Sequence, residues 1–482
     1  MYKIISIKKN FFYNTILSVT NVLFPLITFP YITRIFSADL TGEVTFASSV
    51  INYFIMFASL GIPTYGIRAC ANVRENKEKL SKLVQELIMI NIIMTFISFF
   101  ILIVSMQYLI RFQQIKILLY INSMSLFLNC IGINWMYSAL ENYRFITIRS
   151  LIIKGLSVAA IFCFVKSRED YLLYAFFSVV GMMGGNIVNL IYSRKFISFK
   201  IIGCLNLKRH LKAVFTFFAT SIAVSIYTNL DVVMLGFMNS ASEVGYYSAA
   251  MKIRYAAAVF VTSLGTVILP RLSYLRSIND NTFFYLIKKS MRFTWVLSVP
   301  ITVFLLVFAK ESLVLLSGPS FSDGVSAMYF LIPTVFIAGL SNVTGMQVLV
   351  SCNLEKKLLV SIICGAFIDF FLNLVLIPEY GSSGAAFSTL IAEIVVLFVQ
   401  LSFFGKKIIR IFDGKGIFNI ILSTIIALLS IKLFMGIAKY NILIKVIYNG
   451  LLYFGVYFMC LIVMRDDFVV PIIKTIFKEI RK

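Results

Sequence analysis

The chain has 482 residues, 60% of them hydrophobic and 13% charged, with a mean hydropathy of +0.92. A soluble globular protein carries about 45–50% apolar and roughly 25% charged residues, so the composition excludes an ordinary cytosolic enzyme. The 44 Lys and Arg against 21 Asp and Glu give a net charge of +23. These bases are spread over short gaps between apolar runs, which fits the loops of a membrane protein and not a nucleic-acid-binding surface.

The N-terminal sequence MYKIISIKKN precedes an apolar run that continues for a full span without a small-x-small cleavage site, so it reads as an uncleaved first helix. Further apolar runs predict helices near 11–32, 44–64, 84–109, 117–138, 147–165, 171–192, 213–236, 246–269, 292–309, 326–350, 357–378, 383–404, 417–437 and 444–464. At ~20 residues per transmembrane helix, ~14 helices use about 280 residues, in line with the hydrophobic fraction. The expected fold class is all-α, a polytopic membrane protein of about 14 helices. With the N-terminus inside, thirty-two Lys and Arg fall on inner segments and nine on outer ones. That asymmetry places both termini in the cytoplasm.

Helix 1 carries Asn14, Ser18, Asn21, Pro25 and Thr28 at i, i+4, i+7, i+11 and i+14. This polar stripe must face protein or water, because lipid offers no partners. Lining a cavity and gluing helices together both satisfy that demand. Pro25 and Pro30 predict a bend. In helix 7, Ser221, Ser225 and Thr228 form a similar face with Asp231 at its edge. A carboxylate inside a membrane helix costs about 2.5–3.5 kcal/mol on insertion scales, so Asp231 calls for a partner, a proton, an ion or a place near the interface. Helix 8 holds Lys252 and Arg254, which stand about 200° apart on a helix; one is expected to face a cavity and the other a carboxylate or headgroup. Lys154 in helix 5 is a third candidate to face a cavity, with snorkelling to the inner interface as the alternative. Asp369, Asn373 and Glu393 in helices 11 and 12 are candidates for a coupling proton or sodium ion, with a buried ion pair as the alternative.

A short repeat links Glu43–Ser48 to Glu243–Ser248, and Ser59-Leu60-Gly61 to Ser263-Leu264-Gly265. It suggests parallel six-helix halves, an arrangement that places a transport site between repeats. The expected divisions are 1–204, 205–410 and 411–482. His210 is the one histidine and is placed in a basic loop, so histidine catalysis and multi-His metal sites are not expected. The seven Cys are odd in number and have no C-x-x-C spacing, so neither a metal site nor a disulfide framework is indicated. Most of them are expected to be buried. There is no Walker A loop, no DxD-type motif in a long outer loop and no outer segment large enough for a catalytic domain. The chain is therefore read as no enzyme and as needing no cofactor beyond an ion gradient.

Several segments together resemble the Wzx-type O-antigen and polysaccharide repeat-unit flippases, within the multidrug/oligosaccharidyl-lipid/polysaccharide exporter superfamily. They are Phe29-Pro30-Tyr31-Ile32-Thr33-Arg34 leading through Gly42-Glu43-Val44 to Asn52-Tyr53-Phe54; Gly66-Ile67-Arg68; Asn134-Trp135-Met136-Tyr137 through Arg149 and Lys154; Thr228–Gly236; Glu243–Ile253; and Asn373–Pro378 with Gly384-Ala385-Ala386. Thr45 and Ala47 depart from that family's bulkier choices, and the last two helices carry no recognisable motif. The resemblance implies two six-helix lobes around a central cavity plus two C-terminal helices, in the bacterial inner membrane. It implies an undecaprenyl-diphosphate-linked oligosaccharide as cargo, for lipopolysaccharide or other surface polysaccharide synthesis, with a polysaccharide polymerase and a chain-length regulator as candidate partners. A diphosphate suits cavity cations, for which Lys252, Arg254, Lys154, Arg34 and Arg68 are candidates. Sugars suit a polar and aromatic lining, for which Asn14, Ser18, Asn21, Thr28, Ser225, Tyr246 and Tyr247 are candidates. A drug or cation exporter of the same superfamily, or a polymerase-type membrane enzyme, are the competing readings.

Overall fold

The computed structural model describes residues 7–200, 203, 205–276, 278, 280–404, 413–434 and 441–471. Predicted Cys204 lies outside them. The chain divides into two units, Met1–Gly245 and Tyr246–Lys482. The first holds α1 (Ile7–Ile35), α2 (Ala38–Ser59), α3 (Ile62–Val73), α4 (Lys77–Tyr108), α5 (Ile110–Gln114), α6 (Lys116–Cys130), α7 (Asn134–Ala139), α8 (Tyr143–Phe164), α9 (Tyr171–Met183), α10 (Gly185–Ser193) and α11 (Lys208–Met238). The second holds most of α12 (Ala241–Arg276), then α13 (Asp280–Val307), α14 (Ala309–Ser317), α15 (Val325–Leu331), α16 (Pro333–Ser341), a π-helical turn (Asn342–Leu349), α17 (Glu355–Ser402), α18 (Gly414–Phe434) and α19 (Ile442–Val463). Within the first unit, α11 packs on α2 and α3.

The protein is all-α and polytopic: among the described residues, eleven helices are long and apolar enough to cross a membrane. Their polarity is reversed from that of a water-soluble bundle. On α4, Asn91, Thr95 and Ser98 are buried while Phe96, Phe100 and Ile101 are exposed. Lipid tails accept those apolar surfaces, while polar groups turn inward to find partners. Without hydrophobic pressure between helices, close approach must supply the packing. A Cβ on Gly42 would overlap the Ala241 carbonyl, and one on Gly245 would overlap the Ala38 carbonyl. The first turns of α2 and α12 therefore meet backbone to backbone, at the two places where the short repeat occurs.

Local chemistry sets the helix ends. Asn76 caps α4 by accepting from the Lys79 N–H at 2.9 Å, and Pro333 opens α16. The single 48-residue run of α17 would extend about 72 Å as a straight helix, more than twice a ~30 Å hydrocarbon core. It is broken at Gly381, whose φ of 53° and ψ of −129° are non-helical, between the two predicted segments 357–378 and 383–404. Other predicted segments are interrupted: α6 and α7 share one, α9 and α10 another, and α15, α16 and the π turn a third. The α18–α19 pair packs on α13 through a core containing Phe304, Phe308, Tyr453 and Tyr457, and Tyr457 donates to the Val296 carbonyl at 2.9 Å.

Two expectations are corrected. His210 is not in a loop but in the first turn of α11, and it is buried. Among the described cysteines, only Cys70 and Cys130 are buried; Cys163 is exposed and Cys352, Cys364 and Cys460 are half-buried. An apolar run in a membrane protein spends part of its surface on lipid, so hydrophobic context does not imply burial.

Candidate functional site

In the first unit, α1 and α8 pack along their length and bring two predicted residues together. The Lys154 ammonium donates to the Asn21 side-chain oxygen and sits 5.9 Å from the Phe24 ring centre. Lys154 is only 4% exposed, and among the described residues no carboxylate forms an ion pair with it. A neutral amide and the negative face of an aromatic ring thus hold the charge. Pro25 lacks the N–H that would bond the Asn21 carbonyl in a regular helix, which increases the polarity of this turn of α1.

The rest of the α1 stripe is less uniform than its spacing. Asn14 and Ser18 are exposed, and Ser18 satisfies itself on the Asn14 carbonyl at 3.0 Å. Thr28 is buried and donates back to the Phe24 carbonyl at 3.1 Å. Arg34, at the end of α1, is exposed and donates to the Pro30 carbonyl. Arg68 is exposed on α3. On α11, Ser225 is half-buried and its carbonyl accepts from Tyr53 at 3.3 Å, while Asp231 is buried.

In the second unit, Arg254 donates through Nη2 to Glu393 and through Nε to Thr334, both at 2.5 Å. The arginine and carboxylate side chains are 12% and 7% exposed, so the pair is largely withdrawn from solvent. Tyr247, two turns before Arg254 on α12, is buried, its hydroxyl 3.0 Å from that of Thr389. Tyr246 points elsewhere: its hydroxyl reaches Asp323 at 3.2 Å and its ring meets Phe321 edge-on. Lys252 is half-buried. Asp369 and Asn373 are both buried on the first segment of α17.

Three polar clusters escaped the sequence reading. Glu86 on α4 takes hydrogen bonds from Arg209 and the Asn206 N–H and lies 2.9 Å from His210, whose other ring nitrogen meets the Tyr65 hydroxyl at 2.8 Å. Arg149 donates to the Gly185 carbonyl and to Asn134, which also bonds Asn189. Arg292 on α13 pairs with buried Asp466 beyond α19. Glu86 was visible as a lone acid amid apolar residues, and Asn186 with Asn189 as an i, i+3 pair. Their partners come from distant sequence, which no spacing reveals. Among the described residues, no group of three His, Cys, Asp or Glu side chains is placed to hold a metal ion.

Eleven apolar helices of membrane-crossing length among the described residues, with a buried cation in one unit and a buried ion pair in the other, define a polytopic membrane protein. Residues 7–276 match the family model described as polysaccharide biosynthesis protein, more than half of the chain. The chain belongs to that family, within the polysaccharide-transporter branch of the superfamily its motifs suggested. It is 25% identical over 402 residues to a putative O-antigen transporter of Escherichia coli K12, covering 83% of this chain and 97% of that protein. A putative O-antigen transporter of Shigella dysenteriae is 25% identical over 400 residues, covering 82% and 99%. The fold is similar to that of the lipid II flippase MurJ in an inward closed conformation, with a TM-score of 0.76, 17% identity and coverage of 94% of this chain and 98% of that one.

Proposed function

We propose that the protein is a flippase, not an enzyme, that moves undecaprenyl-diphosphate-linked O-antigen or other polysaccharide repeat units across the inner membrane by alternating access. Family membership and the two O-antigen transporter relatives support transport of a lipid-linked glycan in general. The observation that carries the finer reading is Lys154, a buried ammonium with only neutral partners on the polar face of α1. A cation that no acidic side chain neutralises is electrostatically suited to a passing diphosphate. Lys252, Arg34 and Arg68 are proposed as further anchors for the phosphates. Asn14, Ser18, Asn21, Thr28, Ser225, Tyr246 and Tyr247 are proposed as sugar partners.

The proposal includes fourteen spans, two six-helix lobes (1–204 and 205–410) around a central cavity, and a C-terminal pair (411–482) with both termini cytoplasmic. In it Arg254 with Glu393, together with Asp231 and Asp369, respond to a proton or sodium gradient. A polysaccharide polymerase and a chain-length regulator are the proposed protein partners.

The test is complementation of a flippase-deletion strain that makes the cognate repeat unit. Losing a charge-assisted hydrogen bond costs about 1.5–3 kcal/mol, roughly tenfold or more in an equilibrium. Lys154→Ala is therefore expected to lower surface glycan at least about tenfold at unchanged membrane level, with lipid-linked units accumulating inside, and Lys154→Arg to restore most of it. Parental export by Lys154→Ala would remove the cationic site from the mechanism. Failure of the parent chain to complement at all would remove the cargo.

A further inference from the structure

A cavity of about 540 Å³ lies on the first unit where the start of α8 meets α10. Its polar lining is Arg144, Arg149 and Asn142; Phe145 and Tyr192 form an aromatic wall, stacked with ring centres 4.1 Å apart and planes 22° apart. A third cation, Lys195, sits 4.8 Å from the centre of the Tyr192 ring. The remaining wall is aliphatic, and of it Ile148, Ile152 and Val188 are exposed, as lipid-facing residues are. The cavity thus has a basic end and a greasy side.

Among the described residues, the charges at the basic end have no acidic partner in an ion pair. Arg149 is held by the Gly185 carbonyl at 2.9 Å and the Asn134 side chain at 3.3 Å, and its buried Nε–H has no hydrogen-bond acceptor. Among the described residues, neither Arg144 nor Arg149 forms an ion pair with a carboxylate. The neighbouring acid, Glu141, is engaged by Arg74 at 2.9 Å. Two guanidinium groups beside an aliphatic wall match the phosphate and the first methylenes of one lipid molecule. The inner excess of Lys and Arg puts this end of α8 at the cytoplasmic leaflet.

We propose that this cavity binds the phosphate of a membrane lipid, with the phosphate on Arg144 and Arg149 and the chain along Ile148, Ile152 and Val188. The site is lined by residues other than the cations given to the cargo above, and it rests on the membrane fold rather than on the transport reading. A phospholipid of the leaflet and a prenyl diphosphate share this chemistry. Inorganic pyrophosphate has the charge without the chain.

The experiment is native mass spectrometry of the full chain, purified in detergent and titrated separately with phosphatidylglycerol, farnesyl diphosphate and inorganic pyrophosphate. The parent is expected to hold at least one of the two lipids about tenfold more tightly than Arg144→Glu does, given about 1.5–3 kcal/mol for a charged hydrogen bond. Arg144 is exposed, so Arg144→Glu should leave the fold intact. Arg149→Gln is the second variant, with circular dichroism to confirm its helices. Selective loss of phosphatidylglycerol assigns a leaflet lipid, and selective loss of farnesyl diphosphate assigns a prenyl one. Lipid binding equal in parent and both variants overturns the proposal, as does pyrophosphate bound as tightly as either lipid.

Discussion

Lys154 and Arg254 are both cations largely withdrawn from solvent, yet they are kept there by opposite means. Lys154 in the first unit has an amide oxygen and a phenyl face. Arg254 in the second has a carboxylate and a threonine hydroxyl. A paired guanidinium presents little net charge to anything else, whereas an ammonium held by neutral groups keeps its field. Residue type alone therefore does not separate a binding cation from a structural one; the neighbour decides. The two candidates were equivalent in sequence, and their surroundings give them different expected phenotypes.

The largest effect should come from breaking the pair. Arg254→Ala leaves Glu393 buried without its cation, and removing one partner of a buried ion pair costs about 3–5 kcal/mol. Thermal unfolding in detergent should show that loss, and Arg254→Met with Glu393→Leu together should recover most of it, since replacing both charges is often nearly neutral. If the double variant is no more stable than the single, the pair is not what holds Arg254. Lys154→Met should behave in the opposite way. No carboxylate is orphaned, so stability should change by no more than about 1 kcal/mol, the scale of one hydrogen bond, while glycan export falls. Loss of stability equal to that of Arg254→Ala would erase the contrast.

Two further effects, both smaller than the loss of the ion pair, sharpen it. Gly42→Val forces a side chain into the Ala241 carbonyl, and overpacking costs about 1–3 kcal/mol; Gly155→Val, where a Cβ meets nothing within 4 Å, should leave the melting temperature unchanged. Asn21→Ala removes the oxygen facing Lys154 but not the charge. A drop of about 0.5–1.5 kcal/mol in stability, with export reduced less than by Lys154→Ala, would identify Asn21 as the residue that positions the ammonium.

The sequence was most legible where membrane physics is strictest. Every predicted apolar run lies within or across described helices in part, because a backbone in lipid has no choice but to bond itself. Breaks inside spans were not legible. The interruption between Cys130 and Asn134 arises where a side chain from another helix satisfies the freed backbone, as Asn91 does for the Cys130 carbonyl at 3.3 Å, and the π turn from Asn342 to Leu349 has no signal in the sequence pattern. The polar stripe of α1 was visible as a period, but its members divide: Asn21 meets Lys154, Ser18 and Thr28 bond their own helix, and Asn14 is exposed. His210 was misread because its acid, Glu86, stands more than a hundred residues earlier in the chain.

By itself the sequence determined that this chain is helical, crosses a bilayer many times and carries polar and charged groups within its apolar runs, since hydropathy acts on each segment independently of its neighbours. Only the tertiary structure decided which of those charges cancel. Whether a buried cation meets Glu393, Asn21 or an open cavity depends on what a distant helix brings to within about 3 Å, the range over which a hydrogen bond forms.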